Sequence, residues 1–215
     1  MTTQTTSWRD AAVLLIDHQV GTMSWVKSIP VEEMRRNALM LAKTAKIMKL
    51  PTVLTSSMED HAQGLLMSEL EDVLPDAFRA RVQRAGIVNA MDDPNFAAAV
   101  EKAGRKKLIV AGVTNDVCTV FPVLTLLDQG RDVIVAADAG GSPGKMADDL
   151  ALRRMEQAGA TILGTNQLLA GLAGDCQRRS DSRPSWRSKS RPLALGSGGY
   201  GEGPDRGPRH IRCRD

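Results

Sequence analysis

The sequence is poor in aromatic residues, and it contains no long apolar run. Aromatic residues make up 3% of the 215 residues, so a core has to be built from Val, Leu, Ile, Met and Ala. No stretch approaches the roughly 18 consecutive apolar residues that a membrane-spanning helix needs. The N-terminal residues MTTQTTSWRD also lack the basic and apolar regions of a signal peptide. We therefore expect a cytoplasmic protein that has no membrane partner.

Cysteines and metal-ligand motifs are scarce as well. The three cysteines, Cys118, Cys176 and Cys213, form no CxxC pair and no disulfide framework. No DxH or HxxxH spacing of metal ligands occurs. The segment GGSPGK at residues 140–145 has the wrong spacing for a phosphate-binding loop of the type GxxxxGK[ST]. We expect no metal and no cofactor.

The net charge of +3 is unevenly distributed along the chain. From Cys176 onward ten Lys or Arg face four Asp or Glu, whereas the preceding residues carry 18 basic and 21 acidic groups. Because the positive excess lies in this last part, we expect no nucleic-acid binding by the rest of the chain. The composition changes near Gly174, after which Arg, Ser, Gly and Pro dominate. We place a folded domain at residues 8–174 and a tail at residues 175–215.

The predicted tail has too few apolar residues to bury a core, so the composition favours disorder. The alternative is an Arg-rich arm that binds RNA or another anionic partner. Few aromatic residues lie between its arginines, and we prefer the first interpretation.

Residues 11–172 alternate apolar runs with helix-like segments, which is typical of a parallel sheet covered by helices. In DDPNFAAAVEKAG, for example, Asp92 or Asp93 caps a helix, Pro94 lies in its first turn and Gly104 ends it. The apolar runs do not alternate with polar residues, so both faces of the sheet are expected to be buried. The predicted fold is a three-layer α/β/α, doubly wound, mostly parallel six-stranded sheet. The predicted strands lie in AAVLLID, PTVLTSS, RARVQR, KKLIVAGV, RDVIVAADA and ATILG.

Three reactive side chains follow predicted strand ends, which is where sites form in open parallel sheets. Asp17 closes the first strand, Arg84 follows the third, and Cys118 follows the fourth across a short turn. Cys118 stands in the first turn of a predicted helix, whose free N–H groups and positive dipole favour a thiolate. The same N–H groups could bind an oxyanion. The alternative is that Cys118 is a small buried residue that packs the helix against the sheet.

Asp17 needs either a partner or a catalytic role, because a carboxylate is rarely buried alone. Its partner is expected to be Arg84 or a backbone turn. His18 is a second candidate base, but neighbours on a strand point to opposite faces, so we assign it a structural role. Arg84 lies in an arginine-rich stretch, and a solvated surface charge is the alternative for it. Asn89 and Asn115 have an ordinary explanation as loop residues.

Three stretches together resemble the isochorismatase-like cysteine hydrolases: AAVLLIDHQ, the RxGxxNA stretch at residues 84–90, and AGVTNDVCT. The similarity is to the YcaC-like branch and extends over about residues 8–172. It implies that Asp17 is a general base, that Cys118 is a nucleophile forming an acyl-enzyme, and that Arg84 completes a triad. Most of the superfamily has lysine at the position of Arg84. Since arginine cannot plausibly donate and recover a proton, its role is expected to be electrostatic.

The resemblance also implies an oxyanion hole and an assembly. Backbone N–H groups of Thr114 and Cys118 would bind the oxyanion, next to a cis peptide that joins Val113 to Thr114. The metal ligands of nicotinamidases have no counterparts here, and relatives in the branch form octamers, so a homo-oligomer without metal is expected. The residues expected to line the substrate pocket are Trp25, Asn89 and Phe121.

We predict from these observations a hydrolase that cleaves a C–N bond of a small amide-like substrate through an acyl-enzyme on Cys118. The alternative is a non-catalytic oligomeric scaffold of the same fold, with nucleic acid bound by the basic tail. The reactivity of the Cys118 thiol distinguishes the two hypotheses.

Overall fold

A central six-stranded sheet organises the protein, whose residues 10–173 are described by a computed structural model. The strand order is β3-β2-β1-β4-β5-β6, and every neighbouring pair is parallel. The predicted α/β class is confirmed, with a sheet that is parallel throughout rather than mostly so. The strands are β1 Ala11–Ile16, β2 Thr52–Ser57, β3 Val82–Arg84, β4 Lys107–Gly112, β5 Asp132–Ala136 and β6 Thr161–Leu163.

Helices connect the strands on both sides of the sheet. The cap predicted for the fifth helix is found at Asp93, whose carboxylate accepts hydrogen bonds from the N–H groups of Asn95 and Phe96 at 2.9 and 3.0 Å. In the part of the chain that the structure describes, no helix is both long and apolar enough to cross a membrane. The helices are α1 Val20–Ser24, α2 Val31–Met48, α3 Glu69–Val73, α4 Pro75–Arg79, α5 Pro94–Lys102, α6 Val120–Asp128, α7 Lys145–Gln157 and α8 Thr165–Ala173. The tail predicted at residues 175–215 lies outside the described residues.

Two apolar cores cover the two faces of the sheet. Along β1, alternate residues beginning at Ala11 pack against α2 and α8, whereas those beginning at Ala12 pack against α5, α6 and α7. All six residues of β1 are buried, as the unbroken apolar run predicted. The sheet is therefore the middle layer of a three-layer fold.

The sheet reverses its strand order between β1 and β4. From β1 the chain adds β2 and β3 on one side, and then crosses to β4, β5 and β6 on the other. Ile16 and Gly112 are register partners, so β1 and β4 end side by side. A doubly wound sheet binds its ligands at such a switch point, beyond the carboxyl ends of the strands.

Candidate active site

Asp17 leaves β1 at this switch point. Its φ of 56° lies in the left-handed region, which Asp adopts more readily than most residues. Its N–H donates to the carbonyl of Thr55 at 3.0 Å, so the turn is tied to β2. The residue is only 1% exposed, which places a carboxylate inside the protein. A buried carboxylate needs a partner of opposite charge.

Arg84, at the end of β3, is that partner. Its Nη2 donates to both carboxylate oxygens of Asp17, at 2.6 and 2.5 Å. Its Nε donates to the hydroxyl of Thr55 at 3.0 Å, and its Nη1 donates to the carbonyl of Ile87 at 2.6 Å. The Arg84 side chain is 1% exposed, so the alternative of a solvated surface charge is wrong. All three guanidinium nitrogens are used in holding Asp17 and the loop after β3.

Burial and the neighbouring groups act in opposite directions on the pKa of Asp17. Burial raises this pKa above its ordinary value, because the charged form loses its hydration. The positive charge and hydrogen bonds of Arg84 oppose the increase, and so does a hydrogen bond with the Cys118 thiol. The net direction is upward, and a carboxylate with a raised pKa is a stronger base than an ordinary one.

Cys118 lies beside Asp17, in a single π-helical turn at Asn115–Thr119 that joins β4 to α6. It is partly buried and packs against the core on the α5–α6–α7 side of the sheet. Its thiol makes contact with the Asp17 carboxylate and with the backbone of Thr114. Three side chains that are 34 or more residues apart in the sequence, Asp17, Arg84 and Cys118, are thus brought together.

The expectation that the helix start favours a thiolate at Cys118 is not met. Burial, first, and then the negative charge of Asp17 raise the pKa of the Cys118 thiol to about 12. A hydrogen bond with the Thr114 backbone and the charge of Arg84 act in the lowering direction, but they are outweighed. Desolvation and the adjacent carboxylate thus decide the protonation state, and at neutral pH the thiol keeps its proton next to a base.

The backbone around Cys118 offers hydrogen-bond donors. The peptide bond between Val113 and Thr114 is cis, as the resemblance implied. The N–H of Thr114 is directed at the Cys118 sulfur. The Thr114 N–H thus lies beside the sulfur, and an oxyanion hole made of the Thr114 and Cys118 N–H groups remains a prediction.

A polar network that the sequence reasoning missed holds the π-helical turn. The carboxylate of Asp148, on α7, accepts a hydrogen bond from the amide of Asn115 at 3.0 Å and one from the hydroxyl of Ser142 at 2.8 Å. The N–H of Asp116 donates in turn to the Ser142 hydroxyl at 3.3 Å. One carboxylate therefore ties both residues at the start of the turn to α7. In the sequence, the signal for this network was the acidic residue Asp148 on α7.

Gly140 makes room for this network. A Cβ atom at Gly140 would lie 2.3 Å from the carbonyl oxygen of Gly112 and 2.5 Å from the side-chain oxygen of Asn115. Such distances are shorter than any van der Waals contact, so a larger residue would displace either β4 or Asn115. The GGSPGK segment is thus a close-packed connection that supports the Cys118 turn.

Replacement of Asp148 by alanine is expected to lower kcat by about 10-fold to 100-fold with a small change in KM, because the turn that carries Cys118 loses its anchor. Asp148→Asn should recover most of the loss, since one amide oxygen can accept both hydrogen bonds. Steady-state kinetics and circular dichroism on the three proteins check this expectation.

The matched control is Asp149→Ala. Asp149 is the next residue on α7, is exposed, and pairs only with Lys145. Equal losses of kcat in Asp148→Ala and Asp149→Ala, or no recovery in Asp148→Asn, would contradict a positioning role for Asp148.

The three residues predicted to line the substrate pocket have different surroundings. Trp25 follows α1 and is 43% exposed. Asn89 donates to Asp92 and to Thr125 at 3.0 Å each and accepts from the N–H of Met91, so its amide is already engaged. Phe121 packs against the core beside the guanidinium of Arg154, 5.6 Å from the ring centroid. Contact of these residues with substrate remains a prediction.

His18 is fully buried and its Nε2 donates to the carbonyl of Ala139 at 2.8 Å. Burial lowers the pKa of His18 to about 4, so the ring is neutral at neutral pH. Its hydrogen bond ties the end of β1 to the turn after β5, which is in keeping with the structural role assigned to it. Among residues 10–173 no group of three or more His, Cys, Asp or Glu side chains is arranged to hold a metal ion.

The fold and the site together are those of an α/β protein with a cysteine-based candidate active site. The protein has a doubly wound parallel sheet, with a cysteine and a buried Asp–Arg pair meeting at its switch point. The family model "Isochorismatase domain" matches residues 11–167. The chain belongs to the isochorismatase family and is a hydrolase of its YcaC-like branch.

Individual relatives agree with this assignment. The chain is 39% identical over 185 residues to "Probable hydrolase YcaC" of Escherichia coli K12, covering 86% of this chain and 83% of that protein. A solved YcaC structure from Pseudomonas aeruginosa is 40% identical and has a TM-score of 0.77, covering 81% of this chain and 86% of that one. The solved E. coli YcaC, described as an octameric hydrolase of unknown specificity, is 41% identical with a TM-score of 0.75 over 78% of this chain and 81% of that one.

Proposed function

We propose that this protein hydrolyses a C–N bond of a small amide-like compound through an acyl-enzyme on Cys118. One observation carries the proposal: the Cys118 thiol lies against a buried carboxylate, Asp17, that Arg84 holds with two hydrogen bonds. A thiol beside a fixed base is the arrangement that nucleophilic catalysis requires.

The first half of the reaction forms the acyl-enzyme. Asp17 takes the proton from the Cys118 sulfur as that sulfur attacks the carbonyl carbon of the substrate. The negative charge that develops on the carbonyl oxygen is stabilised by the N–H groups of Thr114 and Cys118. The proton passes from Asp17 to the amide nitrogen, the C–N bond breaks, and the amine leaves. The product at this stage is a thioester on Cys118.

The second half restores the enzyme. Asp17 takes a proton from a water molecule that attacks the thioester carbon, the C–S bond breaks, and the proton returns to the sulfur. The free acid leaves. Arg84 remains charged throughout, so it keeps Asp17 in place and offsets the charge that moves between Asp17 and Cys118. No step requires a metal or a cofactor.

The P. aeruginosa relative supports a nucleophile in this family branch. Its structure contains hexane-2,5-diol and a covalently bound acrylamide. Acrylamide accepts nucleophiles at its terminal carbon, and thiolates are the protein groups that add to it most readily. We therefore expect acrylamide to modify Cys118 as well.

Trapping the acyl-enzyme tests the proposal. Cys176 and Cys213 are first replaced by serine, and the protein is incubated with a panel of primary amides and separately with acrylamide. Intact-protein and peptide mass spectrometry should show an acyl adduct or a propionamide adduct on Cys118, with ammonia released from the amides that are hydrolysed. Cys118→Ala in the same background is the control and should show neither.

Two outcomes would overturn the proposal. Amide turnover in Cys118→Ala would show that another residue is the nucleophile. A Cys118 protein that hydrolyses no amide and gains no mass with acrylamide would mean that the thiol is only packed, as in the scaffold hypothesis.

We also propose that the chain forms a homo-oligomer. The support is the E. coli relative, which is described as octameric and is 41% identical to this chain. Light scattering of the purified protein measures the assembly, and an octamer is the expected result.

A further inference from the structure

Exposed aliphatic side chains are concentrated around the candidate active site. Nine large hydrophobic residues of the described chain are exposed, and six of them lie in the turns and short helices that follow β1 to β4: the aromatic Trp25 and five aliphatic residues. A single exposed aliphatic residue is ordinary, but a group of them marks a binding surface. We call these five residues the aliphatic rim. They are Val20 at 59% exposure, Leu65 at 59%, Ile87 at 39%, Val88 at 54% and Val117 at 39%.

Hydrogen bonds and the chain itself connect the rim to the reacting groups. Val117 directly precedes Cys118 in the π-helical turn. The carbonyl of Ile87 accepts a hydrogen bond from Arg84, the residue that holds Asp17. On the side of β1 and β2, the N–H of Val20 donates to the carbonyl of Leu65 at 2.9 Å. All five residues follow the carboxyl ends of neighbouring parallel strands, which is the edge of the sheet where Asp17, Arg84 and Cys118 lie.

The Asp17 and Arg84 charges of the site are directed inward and compensate each other. Arg84, the cation in contact with Asp17, gives its guanidinium nitrogens to Asp17, Thr55 and Ile87. Its side chain is 1% exposed, so it is not available to a carboxylate on a substrate. Exposed large side chains next to Cys118 and in the loop that Arg84 holds are apolar: Val117, Ile87 and Val88. A charged acyl group would lose hydration there without gaining a partner.

We propose that the aliphatic rim is the specificity subsite for an uncharged aliphatic acyl group. The substrate is then an amide-like derivative of an apolar carboxylic acid, which the rim holds while Cys118 attacks its carbonyl carbon. This inference rests on the proposed function, because it needs Cys118 to accept an acyl group. Burial of each added methylene against the rim should raise the acylation rate about threefold to fourfold, until the chain outgrows the rim.

Activated acyl donors test the rim without knowledge of the natural amide. The probes are 4-nitrophenyl acetate, butyrate, hexanoate and hemisuccinate, and the protein carries the Cys176→Ser and Cys213→Ser replacements. Sulfur attack displaces 4-nitrophenolate and leaves the acyl group on Cys118, and the released nitrophenolate gives the acylation rate. We expect the rate to rise from acetate to hexanoate, and the hemisuccinate to react more slowly than the butyrate, which has the same carbon chain length.

Variants of rim residues then test whether the preference for longer acyl chains comes from the rim. Leu65→Ser and Val88→Ser should lower the ratio of the hexanoate rate to the acetate rate by about threefold or more. Because both side chains are exposed, the substitutions should have little effect on folding. Ile47→Ser is the matched control: Ile47 lies on α2, is 79% exposed, and should leave the ratio unchanged.

The outcomes separate this inference from the proposed function. A nitrophenolate burst that is equal in Cys118→Ala would mean that the nucleophile assignment fails. A burst that depends on Cys118 but not on chain length, or a ratio that responds equally to Leu65→Ser and Ile47→Ser, would overturn the rim proposal alone. The rim proposal would also be overturned if the rim variants changed the mass of the assembly in light scattering and left the ratio of the hexanoate rate to the acetate rate unchanged. The rim would then be a contact between subunits.

Discussion

Replacement of Asp17 by asparagine is expected to lower kcat/KM for amide hydrolysis by about 10²-fold to 10⁴-fold, which is the range for loss of a general base. Because the pKa of Cys118 is raised to about 12, the thiol is almost entirely protonated at pH 7 without help. Attack therefore depends on proton transfer to Asp17 during the step itself. Asparagine has the same shape and can still accept from Arg84, but it cannot take the proton.

The rate of Cys118 alkylation in the Asp17→Asn protein should rise, whereas the rate of amide hydrolysis should fall. The charge of Asp17 is one cause of the raised pKa of Cys118, so its removal should lower that pKa. Alkylation of Cys118 by iodoacetamide near pH 10 should then be faster than in the wild type, while amide turnover is slower. A merely destabilised protein would not show this divergence.

Asp76→Asn is the control for the carboxylate-to-amide change, since the Asp76 side chain is 95% exposed and lies on α4. It should leave both measurements unchanged. Turnover by Asp17→Asn within about threefold of the wild type would be incompatible with Asp17 as the base, because even weak general-base catalysis contributes more.

Replacement of Arg84 by methionine is expected to lower the free energy of unfolding by about 3–5 kcal/mol, which is the usual cost of leaving one member of a buried ion pair alone. The Asp17 and Arg84 side chains are 2% and 1% exposed, so water cannot replace the lost guanidinium. Two further groups lose their hydrogen-bond donor, because Arg84 also donates to the Thr55 hydroxyl and to the Ile87 carbonyl. Urea denaturation at pH 7 measures the change.

Two variants test whether the loss of unfolding free energy in Arg84→Met comes from breaking the Asp17–Arg84 ion pair. Arg84→Lys retains the charge, and should keep part of the stability and of the activity, since most of the superfamily carries lysine there. The double variant Asp17→Asn/Arg84→Met removes both charges and should recover part of the loss, as a double-mutant cycle would show. The surface control is Arg79→Met, whose partner Asp76 is exposed, and it should cost less than about 1 kcal/mol. An equal cost for Arg84→Met and Arg79→Met would contradict the buried-pair interpretation.

Much of the fold followed from local patterns in the sequence. Apolar runs predicted most of the six strands, although β3 lies in the arginine-rich stretch RARVQR, and Asp92 or Asp93 with Pro94 predicted the start of α5. The stretch between β2 and β3 was less clear, because α3 and α4 have five residues each and show little periodicity. Strand ends also indicated where Asp17, Arg84 and Cys118 would meet, since parallel strands all deliver their carboxyl ends to one edge.

The parts of the site that were missed depend on contacts between distant segments. Asp148 lies 33 residues after Asn115, and nothing in the spacing shows that their side chains meet. The aliphatic rim comes from four loops, in each of which an apolar residue is ordinary by itself. Its members become a surface only because the loops converge at one end of the sheet.

The sequence by itself determined the fold class and the three reactive residues that stand at strand ends, whereas the strand order that makes a switch point came from the tertiary structure. The fold class and the strand ends depend on the order and hydrophobicity of short segments, which a linear chain displays directly. Only the tertiary structure decided that Arg84 is buried on Asp17 and that Cys118 holds its proton. Both outcomes depend on how far water is excluded and on distances between charges, and these quantities exist only after β1, β3 and the Cys118 turn have been brought together.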